Sequence, residues 1–527
     1  MSTKPSDQRR NRSRAALAGV LAVGLALGIS ELAAALFDGV PSLVLAVGSV
    51  LIPIIPAALE DFAIRTFGTS DKVVLNISTL AGTLAFGAWA GIRGWESIRA
   101  AARIWIGFTL VGLVAALMQP LVAVPTTLVA IAISSALGYG ALLLLRNADL
   151  LVQRLLTAKD NGVEIGNRSA DAIAELARRR FLGLLAGVGG AGLLAAYGGR
   201  SLLGPRIKVD FDAIALPLPI RSASAVDAVN AFAVDGITPI LVPNSQFYRI
   251  DTALAVPRID PENWTLRIFG MVDEELEFSY QDILAMDMVE AYITLSCVSN
   301  QVGGDLVGNA KWLGVPLGKI LDMAGVQSGA DQIVGRSVDG WDAGFPTPMA
   351  YDRDTLLAVG MNDEVLPARS GFPARLVVPG LYGYVSATKW LREIELTTWD
   401  AFDGYWVPRG WDKEGPIKAQ SRIDVPRSSA TVPVGPTVFA GVAYAPHVGI
   451  ARVEVRIDDG SWTETQLSSP LSDDAWVQWR VELALPGGTH LVEVRATDAN
   501  GVTQGADYVP PRPNGAEGHD VIRITAA

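Results

Sequence analysis

The chain has 527 residues, half of them hydrophobic, with a mean hydropathy of +0.32, 43 Lys and Arg against 54 Asp and Glu, one Cys and three His. This composition excludes a disordered protein, and a single Cys excludes an intrachain disulfide framework, a zinc ribbon, an iron–sulfur cluster and c-type haem attachment. His447, His490 and His519 are the only histidines, so HExxH metalloprotease chemistry, bis-His haem in the apolar part and a Ser-His-Asp triad are all excluded before residue 447.

Charge is split along the chain. Residues 1–200 carry a net +6 and the remainder −17. So acidic a second part offers no basic face for nucleic acid. The first part reads as membrane helices. Ala15–Phe37 is apolar apart from Glu31, Val73–Ile92 is uncharged, and Ile104–Arg146 runs uncharged up to its last residue. That third run is long enough for two crossings of a roughly 30 Å core, with a turn at Gln119-Pro120. Phe181–Gly199 supplies a fifth crossing. Pro41–Leu59 is apolar but interrupted by Pro53 and Pro56.

The positive-inside rule puts the basic N-terminus (Lys4 to Arg14), Arg93–Arg103 and the loop 146–180 on the cytoplasmic side. These assignments agree only if Pro41–Leu59 does not cross, so it is expected to be re-entrant or interfacial. The expected arrangement is a four-helix region over 1–145, a cytoplasmic loop over 146–180 and a fifth helix over 181–203. Everything after that lies outside. Arg178-Arg179-Arg180-Phe181-Leu182 matches the twin-arginine pattern, a receptor-read export address for already folded domains.

Residues 204–243 read as a linker or wrapping segment. From residue 244 to 426, short strands and helices alternate without βαβ spacing, which predicts an α+β domain. Trp264–Phe269 reads as a strand. Ser279 and Asp282 form a capping box for a helix to Met286, and Pro316–Ala324 reads as a helix stopped by Gly325. Residues 427–527 differ: 451–457, 477–483 and 492–496 alternate apolar and polar residues, with turns at Asp459-Gly460 and Gly487-Gly488. That pattern predicts an all-β sandwich of immunoglobulin type.

The run Ile293-Thr-Leu-Ser-Cys-Val-Ser-Asn-Gln-Val302, followed by Gly308-Asn-Ala-Lys-Trp-Leu-Gly-Val-Pro-Leu317, resembles the sulfite oxidase family of molybdenum-cofactor enzymes. Further matches are Phe247-Tyr-Arg249, Val256-Pro-Arg-Ile-Asp260, Gly371-Phe-Pro-Ala-Arg-Leu-Val-Val-Pro-Gly380 and Lys389-Trp-Leu391. In the last domain, Arg452–Trp462 and Arg495–Gln504 are similar to the family's immunoglobulin-like dimerisation module, which implies a homodimer. The resemblance covers about half of the chain, and its membrane-anchored, twin-arginine context is similar to bacterial members.

The resemblance implies a molybdenum–molybdopterin cofactor with Cys297 as its protein ligand, and the residue chemistry agrees. Molybdenum favours soft sulfur, and Cys297 is the only thiolate available. Carried over from the family, the pterin contacts are Asn244, Ser245, Tyr248, Arg249, Asp339, Ser370, Arg375, Ser386, Ala387, Thr388 and Lys389, with Arg375 facing the phosphate.

The chain departs from the family around the substrate. Gln301 and Val302 stand where sulfite oxidases carry anion-binding arginines. The catalytic tyrosine falls near Ala343, beside Asp342, and Ser370 replaces a His. Arg249 is the one retained arginine able to hold an oxyanion, so Cys297, Arg249 and Asp342 are the expected catalytic residues. A pocket that has lost positive charge is a poor fit to a dianion. Sulfite is doubtful on that ground, and a neutral or larger substrate such as a sulfoxide fits as well.

The expected activity is oxygen-atom transfer by a membrane-anchored oxidoreductase facing outward. With no haem motif in the chain, the electrons pass to or from a separate cytochrome or quinone. The alternatives are a sulfoxide reductase on the same cofactor and a cofactor-free surface binding protein with an immunoglobulin-like module.

Overall fold

The computed structural model describes residues 5–527 except 56–58, 60–61, 63–65, 68–70, 121, 161–169, 204–208, 228 and 353. It divides into two units, Met1–Lys208 with Ala253–Ala255, and Val209–Thr252 with Val256–Ala527.

The first unit is helical. Helices α1 (Pro5–Leu36), α3 (Asp71–Glu96), α4 (Ile98–Leu117), α5 (Val124–Asp160) and α6 (Ala170–Leu203) are each long and apolar enough to cross a membrane. Between the first two lies α2 (Leu43–Leu51), capped by Ser42 and continued by a 3-10 turn over Ile52–Ile54. Nine residues reach about 14 Å, less than half of a bilayer core. Alanines of α1 (Ala15, Ala18, Ala22) are fully buried, which lets neighbouring helices approach closely, whereas Ile106, Val111, Leu193 and Leu194 on other helices face outward. A polar knot ties α1, α3 and α5: the Asp149 carboxylate accepts from Arg14 Nη1 (3.1 Å), Trp95 Nε1 (3.2 Å) and Gln153 Nε2 (2.6 Å).

Ser97 alone separates α3 from α4, so Arg93–Arg103 is helical but for that residue. One expectation shifts here. The loop placed at 146–180 is mostly helix, because α5 runs on to Asp160 and α6 starts at Ala170. Its charges interrupt hydropathy, but Leu, Ala, Arg and Gln sustain a helix in water as well as in lipid.

The second unit holds four sheets. The first has the order β2-β1-β10-β5-β6, built from β1 (Thr265–Gly270), β2 (Leu276–Ser279), β5 (Gln332–Ser337), β6 (Asp342–Pro346) and β10 (Leu391–Thr397). The second has the order β3-β4-β7-β8, built from β3 (Val289–Ser296), β4 (Val307–Pro316), β7 (Leu356–Met361) and β8 (Glu364–Val365), with β9 (Arg375–Val377) pairing β7. The capping box of Ser279 and Asp282 starts helix α7 (Tyr280–Leu284), and α8 (Leu317–Ala324) stops at Gly325, which adopts φ +67°. Leu266, Ile268, Ile320, Leu321, Ile333, Phe345, Leu376 and Ile394 form a core between these elements.

The last two sheets are β11-β13-β17-β16 and β12-β19-β18-β14-β15, with β11 at Gln420–Val425, β12 at Thr431–Val432, β13 at Gly435–Tyr444, β14 at Ile450–Ile457, β15 at Thr463–Glu464, β16 at Gln466–Leu467, β17 at Val477–Leu485, β18 at Gly488–Asp498 and β19 at Asp520–Ala526. They enclose one core of Phe439, Val453, Val455, Trp479, Val492, Val494 and Ile524. This β-rich region starts at Gln420 rather than 427, because β11 pairs with β13. The segment from Val209 is no free linker: Val209, Phe211, Ile214 and Leu216 pack on one core, and Ile240 and Val242 enter another.

Candidate active site

Strand β3 is apolar and buried along most of its length, and it delivers Cys297 at its C-terminal end. There the chain leaves the sheet and returns as β4, so residues 297–306 form a loop. Cys297 N donates to Leu306 O (2.9 Å), Asn300 N to Cys297 O (3.0 Å) and Leu306 N to Asn300 Oδ1 (2.9 Å). These bonds close the loop at its base and leave the sulfur only 8% exposed as a residue. Sγ lies 2.9 Å from Ser299 Oγ. Burial pushes the thiol pKa up, while Ser299 and the charge of Lys389 pull the other way.

Three buried phenols accompany the thiol. Tyr248, Tyr382 and Tyr444 are all pushed up, chiefly by burial, and a charge on Cys297 raises both Tyr248 and Tyr382 further. Tyr248 stacks on Phe247 (5.3 Å), which in turn meets Trp312 edge-on (5.9 Å).

Positive charge is concentrated nearby. Arg375, at the start of β9, is 4% exposed. Its guanidinium donates only to backbone carbonyls, those of Ser370 (3.0 Å), Ala387 (3.3 Å) and Leu376 (3.4 Å), and lies over the Trp312 ring (5.1 Å). Burial pushes its pKa down to about 10. No carboxylate pairs with it among the described residues. Lys389 Nζ donates to Ile250 O (3.0 Å) and Asp251 Oδ2 (3.1 Å), and its pKa is pushed down to about 8 by burial, with Arg375 and Arg249 adding to the fall against Asp251. Arg249 is bidentate to the same Asp251 (2.7 and 3.1 Å). Asp339, pushed up by burial, feels Asp251 and Lys389.

Gly371 is what lets these strands meet. It adopts φ +120°, and a Cβ there would sit 3.1 Å from both Arg375 Cβ and Lys389 Cα. A helical turn α9 (Gly383–Ser386) completes the wall, with Ser386 Oγ donating to Tyr382 O (3.1 Å) and Thr388 Oγ1 to Gly335 O (3.4 Å).

The sequence-derived residues therefore fall into three groups. Cys297, Tyr248, Arg249, Asp339, Arg375 and Lys389 are electrostatically coupled, and Ser370 and Ala387 join them as carbonyl acceptors. Asn244 is committed elsewhere: its side chain donates to Met361 O and Glu364 Oε2 and accepts from Asn362, while Ser245 offers its carbonyl to Arg369. Asp342 faces Arg336 (3.7 Å), and its carbonyl accepts from Tyr405 N (3.2 Å); burial pushes its carboxyl up against Arg336 and Arg409. None of the groups around Cys297 is among the partners of Asp342. Sequence reading missed Asp251, Tyr382 and Tyr444. Asp251 was legible as a charge two residues from Arg249; Tyr444 comes from 147 residues beyond Cys297 and left no local signal.

These residues suit a cofactor with a thiolate-bound metal and an anionic tail. The deciding observation is the buried Arg375, whose charge is met among the described residues by carbonyl dipoles and the Trp312 ring and by no carboxylate. Residues 253–406 match the family described as oxidoreductase molybdopterin binding domain. The uncharacterized oxidoreductase YuiH of Bacillus subtilis (strain 168) is 33% identical over 156 residues, 30% of this chain and 76% of that protein. Human mitochondrial sulfite oxidase is 26% identical over 296 residues, 47% of this chain and 54% of that one. The chain thus spans about half the length of the sulfite oxidases it matches. The sulfane dehydrogenase SoxCD of Paracoccus pantotrophus superimposes with a TM-score of 0.49 at 22% identity, over 60% of this chain and 92% of that one.

The protein is an oxidoreductase that binds a molybdenum–molybdopterin cofactor. It belongs to the sulfite oxidase family, and a cofactor-free binding module is set aside.

Proposed function

We propose that the chain is a membrane-anchored oxygen-atom-transfer enzyme whose metal is held by Cys297. The observation that carries this reading is the convergence of one buried thiol with the uncompensated Arg375 and the Arg249–Asp251–Lys389 group. When bound, the cofactor supplies the two-electron redox centre and the site of oxygen transfer. Cys297 supplies the sulfur ligand. Arg375 and Lys389 supply positive charge for the anionic tail, Tyr248 and the carbonyls of Ser370 and Ala387 shape the pterin cradle, and the buried phenols keep water from the sulfur. Ser245, Ser386 and Thr388 complete the cradle by resemblance alone.

Asp251 engages Nε and Nη2 on one edge of Arg249 and one proton of Lys389. The two cations best placed for an anionic substrate are therefore already neutralised in part, which favours a neutral substrate. A sulfoxide reductase on the same cofactor is the reading this supports beside sulfite oxidation. Comparing turnover of sulfite with that of methionine sulfoxide separates them: measurable sulfoxide reduction with no sulfite oxidation supports the reductase, and the reverse overturns it.

The five apolar helices are read as crossings with α2 interfacial, the basic N-terminus inside and residues 209–527 outside. Arg178–Arg180 are exposed on α6, as an export address requires; the centre of that cytoplasmic connection, 161–169, lies outside the described residues. The paired β-sheets after Gln420 are read as an immunoglobulin-like dimerisation module, and a separate cytochrome or quinone as the electron partner. Protease added to intact spheroplasts should remove residues 209–527; full protection would reverse the topology.

A further inference from the structure

The loop that carries Cys297 is closed at its base by its own backbone, but its side chains reach into the β-rich region after Gln420. Asn300 is 3% exposed. Its Oδ1 accepts from Leu306 N (2.9 Å), and its Nδ2 donates to Tyr444 Oη (3.2 Å). Tyr444, at the end of β13 and 2% exposed, passes the connection on by donating to Gln420 Oε1 (2.9 Å), and Gln420 Nε2 donates to Ala516 O (3.1 Å). A second attachment grips the tip of the loop. Arg422 Nη1 donates to Gly304 O (2.7 Å), with the guanidinium oriented by Asp424 (2.7 Å) and Thr238 Oγ1 (2.8 Å). Gly303 adopts φ +72°, and a Cβ there would run into the Asp520 carboxylate, so the loop backbone lies directly against β19 (Asp520–Ala526).

We propose that Tyr444 and Arg422 are positioning residues for Cys297, acting through Asn300 and Gly304, so that the C-terminal β region is a working part of the molybdenum site as well as a module for association. The physical case is direct. A ten-residue loop closed only at its base keeps freedom at its tip, and fixing each residue costs about 1–2 kcal/mol in backbone entropy. The Asn300–Tyr444 contact is buried and the Arg422–Gly304 contact partly so, where a hydrogen bond is strengthened and a lost partner is costly. Tyr444 is also coupled electrostatically to Tyr248 and Tyr382, the two phenols that a charge on Cys297 perturbs, so the strut ends within the group around the sulfur. The consequence for metal retention rests on Cys297 being the ligand; the consequence for the thiol does not.

Cys297 is the only cysteine, so thiol labelling of the full chain reports on this loop alone. The experiment measures the rate of iodoacetamide alkylation of detergent-solubilised full-length protein made in a host lacking molybdopterin synthesis. It compares the parent with Tyr444→Phe, Asn300→Ala, the double variant, and Val492→Ala. The last lies in the core between the same sheets, whereas Tyr444 belongs to the other core cluster. Tyr444→Phe should raise the rate about tenfold, Asn300→Ala by at least as much because it also leaves Leu306 N without its acceptor, and the double variant no more than Asn300→Ala alone, because Tyr444 acts through Asn300. Val492→Ala should lower the melting temperature with the labelling rate unchanged.

A Tyr444→Phe rate within twofold of the parent overturns the proposal. So do multiplying effects in the double variant, or an equal rise in Val492→Ala. Should Tyr444→Phe fail to fold, Asn300→Ala removes the same contact from the other side, together with the bond to Leu306 N, and a rate within twofold of the parent there overturns the proposal. Failure of the ligand reading would appear separately, as an unchanged sulfur count around molybdenum in Cys297→Ser.

Discussion

Replacing Arg375 by Met tests whether the buried cation exists for the cofactor or for the fold. Met keeps an unbranched apolar stem but is shorter than Arg, so the change removes the charge and its donors together with the volume of the buried guanidinium. In the cofactor-free protein two effects oppose each other. Burial depresses the guanidinium pKa to about 10, and a fall of that size corresponds to a cost of about 3 kcal/mol for carrying the charge at neutral pH. Removing the charge relieves that cost. Against it stand hydrogen bonds to the carbonyls of Ser370, Ala387 and Leu376, only the first of them at an optimal 3.0 Å, and the contact with Trp312; together they are worth about 3–5 kcal/mol. The net loss is about 0–2 kcal/mol. In the loaded protein the variant also forfeits a buried charge-assisted contact with the anionic tail, about 2–4 kcal/mol more, which weakens cofactor retention by about 30- to 1,000-fold. The assay is the melting temperature of cofactor-free and loaded protein side by side, with molybdenum per chain by elemental analysis. Arg375→Met should melt only slightly below the parent when empty and far below it when both are exposed to cofactor. Equal melting losses in both forms, with unchanged molybdenum, would refute the assignment.

Gly371→Ala should destabilise the second unit by about 2 kcal/mol and reduce molybdenum content, because φ +120° is strained for any side chain and the new methyl meets Arg375 and Lys389; denaturant midpoints check this, and a neutral result would show that the strands can part. Lys389 binds its proton less tightly in the folded cofactor-free protein, near pH 8, than in the unfolded chain, near pH 10.4. The parent should therefore gain stability relative to Lys389→Met as pH rises from about 8 to about 10.4, and parallel urea midpoints across that range would contradict it. Asp251→Asn frees Arg249 and Lys389, so inhibition by small dianions such as sulfate should strengthen about tenfold, measured as an inhibition constant; no change would mean the clamp does not set the charge of the pocket.

Much of this architecture was legible because it is periodic or punctuated. Apolar runs marked the five helices, alternation marked β14, β17 and β18, and Ser279, Asp282 and Gly325 marked helix ends that the structure reproduces. What was missed depends on tertiary placement. β11 pairs with β13 across a turn, so its membership of the last β region is a matter of hydrogen bonding and not of local pattern. The segment from Val209 has no period because it packs by single anchors such as Phe211 and Val242. At the site, Cys297, Arg375 and Lys389 stood in motifs. Asp251 and Tyr444 did not, since what they touch is set by tertiary placement: one clamps two cations, the other accepts a hydrogen bond from Asn300 in the loop after Cys297. Asn244 was expected beside the pterin, and its amide is saturated by Met361, Glu364 and Asn362.

The central claim is that Cys297 binds the metal, and the most direct test counts the sulfur atoms around molybdenum. X-ray absorption at the molybdenum edge should show one sulfur neighbour fewer in Cys297→Ser than in the parent, together with loss of the thiolate–molybdenum absorption band and of turnover. An unchanged sulfur count in the variant, with molybdenum still bound, would contradict the assignment.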